Sequence, residues 1–201
     1  MKSDFIRVFP DGDGINEALT YTEKIAAFKK LSHKEALHLR LLTEEMMGLL
    51  RGLTGETEAE FYIEDDGGDF RLHLITETDM DGEKRKKLLG TSTSGRNEAT
   101  KGVMGKLRDL FSQAFEPLGD DLPAYYSGGW INMDTDPMGI DFSLYDSAWS
   151  FNRYKETVGE GTEEWDELEK SIVANLADEI RIGIRGRRVE MVIFKNFNKE
   201  K

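Results

Sequence analysis

One segment leaves a chain like this little freedom: AEFYIEDDGGDFRLHLITETDMD, in which two alternating runs flank Asp66-Gly67-Gly68. Alternation at period two turns every second side chain toward one face of a strand. An Asp-Gly-Gly centre supplies the positive φ angles of a tight reversal, so the segment reads as a β-hairpin. The chain finishes on a second hairpin, EIRIGIRGRRVEMVIFKNF, turning at Gly186. Near the start, Phe5–Pro10 (FIRVFP) reads as an edge strand ended by proline.

Helices separate these strands. Asp11–Gly14 is a turn in which Asp13 is the expected cap of a helix over Ile15–Leu31, whose Ile15, Leu19, Thr22, Ile25, Ala26 and Phe28 recur near helical spacing. Ser32 opens SHKE, a capping box with Glu35 at its third helical position. The helix behind it, Lys34 to Arg51, carries Leu37, Leu41, Met46, Leu49 and Leu50, and Gly52 and Gly55 close it. Lys84–Lys87 reads as a solvated helix start, and a helix over Lys106–Phe115 stops before Pro117. Strands are expected near Trp130–Met133, Ile140–Leu144 and Ala148–Thr157. Glu163–Asp178 reads as one amphipathic helix with Trp165, Leu168, Ile172, Val173 and Leu176 on a shared face. Paired strands separated by helices predict a single α+β domain over 1–201: a two-layer α/β sandwich, its mixed sheet carrying helices on one face.

Composition narrows the partners. A formal net charge of −12 argues against a nucleic-acid-binding surface. No window approaches the roughly 18 apolar residues of a membrane span. The absence of cysteine excludes disulfide and thiolate chemistry, and MKSDFIRVFPDGDG has no apolar secretion core, so a cytoplasmic protein is expected.

Against that acidic background, Leu88–Phe111 (LLGTSTSGRNEATKGVMGKLRDLF) is unusual. Glycines let backbone amides approach an anion, and the first turn of a helix leaves N–H groups unpaired. Thr91, Ser92, Thr93 and Ser94 add hydroxyl donors, Gly95, Gly102 and Gly105 add backbone freedom, and Arg96, Lys101 and Lys106 add positive charge. Together they form a candidate phosphate cradle; a plain surface loop before a helix is the alternative. GTSTSGRN is not a Walker A loop, because Arg-Asn stands where Lys and Ser/Thr are required.

In this order the motifs resemble the GHKL ATP-binding superfamily, with its Bergerat-like fold, and most of all its anti-sigma-factor serine kinases and histidine-kinase-like domains. TEEMMGLL lies where that family has a Glu-rich helix, ITETDMDG follows the hairpin, and SIVANLADEIRIGIRGRRVEMVIF is similar to the last helix and closing hairpin. The likeness covers about 1–115 and 163–197, leaving 116–162 as a β-rich insertion.

What the resemblance implies is uneven. In the family a Glu on the second helix acts as general base and an Asn four residues later holds magnesium. Glu44 takes the base position, but the Asn position falls on Gly48, and the alternative register, Glu45, places Leu49 there. A hard cation thereby loses an oxygen ligand, and magnesium is doubtful. An Asp that accepts the adenine amino hydrogen opens a D-x-G-x-G box; Asp79 or Asp81 supplies the carboxylate, but only Gly82 follows. Arg187 and Arg188 stand where the closing hairpin usually has a supporting Thr. The implied cofactor is ATP or ADP, with Asp79 or Asp81 on adenine and the 90–106 loop on phosphates. An active member would transfer the γ-phosphoryl group to a protein serine with Glu44 as base, as a regulatory kinase. The competing reading is a degenerate, non-catalytic domain that meets a protein partner through the aromatic insertion (Tyr125, Tyr126, Trp130, Trp149, Phe151, Tyr154), with a homodimer left open. His33, His38 and His73 are scattered and suggest no metal site.

Overall fold

The computed structural model describes residues 1–53, 58–77, 147–157, 171–185 and 188–198 of the 201-residue chain. The elements run β1 (Ile6–Val8), α1 (Ile15–Phe28), α2 (His33–Leu53), β2 (Ala59–Asp66), β3 (Asp69–Glu77), β4 (Ser147–Ser150), α3 (Phe151–Thr157), α4 (Ile172–Leu176), β5 (Glu179–Arg185) and β6 (Arg188–Asn196). The described strands form one six-stranded sheet in the order β1-β2-β3-β6-β5-β4. The fold class is α+β.

The hairpin at Asp66 forms as its residues require. Asp66 pairs with Asp69 across a two-residue turn in which Gly67 and Gly68 have φ of 61° and 103°. Positive φ at both positions matches the right-handed twist of the flanking strands. The register then fixes the two faces. Ala59, Phe61 and Ile63 of β2, Leu72 and Leu74 of β3, Met191 and Ile193 of β6, and Ile180 and Ile182 of β5 lie on one face and are buried. They form a single cluster with Ala18 and Ile25 of α1, Leu39, Leu42, Met46 and Leu50 of α2, Phe151 of α3 and Val173 of α4. Each fully buried large apolar side chain in that cluster stabilises the fold by about 1.5–3 kcal/mol.

The expected mixed sheet is corrected: every strand pairing among the described residues is antiparallel. A parallel neighbour needs a single crossover element. Here two helices separate β1 from β2, reversing the chain once more so that β2 runs against β1.

Capping is legible at one helix and not at the other. At α2 the Ser32 amide donates to Glu35 Oε2 (2.7 Å) and the Glu35 amide donates to Ser32 Oγ (3.3 Å), the reciprocal capping box. At α1 the cap is Gly14, not Asp13, whose carboxylate accepts only the Gly14 amide. Gly14 has φ +77°, and a Cβ there would lie 2.0 Å from the Arg7 carbonyl oxygen, so β1 passes too close for any other residue. α1 ends in a Schellman motif: the Lys30 and Leu31 amides donate to the Ala27 and Ala26 carbonyls, with Lys30 at φ 54° in the position usually held by glycine.

Three further expectations change. The buried stripe of α2 is Leu39, Leu42, Thr43, Met46, Met47 and Leu50, while Leu37 is 45% exposed. The strand expected over Ala148–Thr157 stops at Ser150 and a helix begins. Glu179 drives that change: its buried carboxylate accepts the amides of Phe151 (2.9 Å) and Asn152 (3.2 Å), two orphan donors of the new helix, and the Ser150 hydroxyl (3.1 Å). Of the helix expected over Glu163–Asp178, the described residues begin at Ser171, which is extended and accepts the Ala174 amide as the N-cap of α4, and Ile172 is exposed. Ser147–Thr157, inside the stretch read as an insertion, extend the sheet beside β5 and send Phe151 into the core.

Candidate functional site

Among the residues put forward for nucleotide binding or catalysis, Glu44 lies within the described structure. Asp79, Asp81, Thr91, Ser92, Thr93, Ser94, Gly95, Lys101, Gly102, Gly105 and Lys106 lie outside the described residues, as do Tyr125, Tyr126 and Trp130.

Glu44 sits on α2 immediately after the buried Thr43, with about two-fifths of its side chain exposed. Its Oε1 accepts a hydrogen bond from Arg40 Nη2 at 3.1 Å, one helical turn back. Arg40 Nη1 also pairs with Glu23 of α1, so one guanidinium ties Glu44 to the neighbouring helix. Beneath this surface link the hydroxyls of Thr22 and Thr43 meet at 3.1 Å in the α1–α2 seam, each also bonded to a carbonyl one turn back. Glu45 follows; burial first, and the Glu44 charge second, push its carboxyl above the ordinary range. Gly48 is exposed one turn beyond Glu44, and a Cβ added there would have nothing within 4 Å. The face therefore presents two carboxylates beside an open position with no side chain, and Gly48 contributes no oxygen to a cation.

Thr76, near the end of β3, pairs with Ala59 at the start of β2, where the chain arrives from α2. Asp79 and Asp81 follow β3 in the sequence and lie outside the described residues.

A second polar cluster was not singled out from sequence. It lies on the sheet face opposite the helical residues, where Tyr62, His73, Val192 and Arg181 form one cross-strand row. His73 is 4% exposed, stacks on Tyr62 at 4.3 Å between centroids, and places Nδ1 2.8 Å from Glu190 Oε1. Nε2 is buried, has no hydrogen-bond partner among the described residues, and lies 3.7 Å from Glu64 Oε2. Lys2 and Arg71 approach the same Glu64 carboxylate at 3.6 and 3.8 Å, and Arg188 lies 3.9 Å from Glu190. Among the described residues no three His, Asp or Glu side chains converge as a metal site. The signal was present in the alternation: residues 64, 73 and 190 fall on diagonal positions once the strands are paired, but only the pairing reveals it.

No protein-family model matches the chain, and no curated protein is significantly similar to it. The functional reading therefore rests on the chain's own residues. Among the described helices none is long and apolar enough to cross a membrane.

Proposed function

We propose that this chain is a cytoplasmic regulatory protein of the GHKL type, a two-layer Bergerat-like sandwich that binds ATP or ADP. The observation that carries the reading is the order of the elements: α2, which bears Glu44, precedes the β2–β3 hairpin, and Asp79 and Asp81, the carboxylates proposed for adenine, follow β3 in the sequence. The order strand, helix, helix, hairpin, and later helix, hairpin supports it as well. The phosphates would be held by Thr91–Gly95, Lys101, Gly102, Gly105 and Lys106. Gly48 brings no ligand for magnesium, so the proposed site holds nucleotide without a metal fixed from α2.

Catalysis is the weaker half of the proposal. A general base needs a lone pair aimed at its substrate, and the Glu44 carboxylate is engaged by Arg40. That pairing favours the second reading, a non-catalytic domain whose partner is another protein. Calorimetric titration with ATP and ADP, each with and without magnesium, separates the two. Micromolar binding indifferent to magnesium supports a nucleotide-binding regulator. Binding that requires magnesium restores Glu44 as a base, and no heat at millimolar nucleotide overturns the ATP reading and leaves the interaction domain.

A further inference from the structure

No further inference is drawn: the strongest candidate, the His73–Glu190–Glu64 cluster on the sheet face opposite the helices, leaves Nε2 of His73 without a hydrogen-bond partner among the described residues, but nothing in the structure shows what covers that face, and Lys2 and Arg71 already approach Glu64.

Discussion

His73 and Glu190, 117 residues apart in the chain, meet at 2.8 Å on adjacent strands, both buried on the sheet face away from the helical cluster. A buried carboxylate with an imidazole N–H costs far less than one without it, because desolvation is offset by a charge-assisted bond. Replacing His73 with leucine is expected to destabilise the protein by about 1–3 kcal/mol, the cost of depriving a buried acceptor of a donor. Removing both groups, in His73→Leu with Glu190→Leu, is expected to recover part of that loss, since an apolar pair leaves no acceptor to satisfy. Urea denaturation of the two variants checks the ordering; a double variant no better than the single one would refute it.

Glu179 organises the turn from β4 into α3, and its two oxygens have different work. Oε1 accepts the amides of Phe151, Asn152 and Ile180, while Oε2 accepts the Ser150 hydroxyl. Glutamine keeps the first oxygen and can donate to Ser150, so Glu179→Gln is expected to cost about 1 kcal/mol. Glu179→Ala strands several buried donors and is expected to cost at least about 2 kcal/mol. Chemical denaturation of both variants measures the gap; equal losses would sink the account.

Gly48 is a helix-interior glycine with room for a side chain. Gly48→Ala is expected to stabilise the protein by about 0.5–1 kcal/mol, because alanine loses less backbone entropy than glycine on entering a helix. A calorimetric Tm a few degrees higher is the expected reading. In the nucleotide reading, Gly48→Asn supplies the missing oxygen, and its ATP binding should become magnesium-dependent where the parent's is not. A variant that binds ATP with the same indifference to magnesium would remove α2 from the site.

Lys30 occupies the left-handed C′ position of α1 that glycine fills without steric cost. Lys30→Gly is expected to raise stability by up to about 1 kcal/mol, the relief of left-handed strain less the added freedom of the unfolded chain. A lower denaturation midpoint would show that the lysine side chain contributes more than its backbone strain costs.

Glu45 gives a pH dependence of definite sign. Burial, followed by the Glu44 charge, raises its carboxyl above the unfolded value of about 4.3. A raised acid destabilises the fold above its folded pKa and costs nothing below the unfolded one. Glu45→Gln is therefore expected to gain stability at pH 7 and to lose that advantage below about pH 4. Partial exposure keeps the gain under about 1 kcal/mol. Thermal midpoints of parent and variant, compared from pH 7 to pH 4, should converge; parallel curves would contradict it.

Local interactions made much of the fold legible from sequence alone. The Asp66-Gly67-Gly68 reversal, the Ser32–Glu35 box and the β5–β6 hairpin arise from residues within a few positions of one another, where turn geometry and capping act without tertiary help. That Glu44 and Gly48 stand one turn apart on α2 was likewise readable from helical spacing, while the role of Glu44 as a base came only from the resemblance. What needed tertiary structure was every feature set by residues distant in sequence. Gly14 is the cap of α1 because the Arg7 carbonyl crosses above it, and the strand after Ala148 becomes a helix because Glu179 reaches it from the neighbouring strand. β2 runs antiparallel to β1 because two helices, not one, return the chain between them. His73 gains its role only when β3 lies against β6. Period two says that a side chain faces one side of a strand; strand pairing decides which charges share that side.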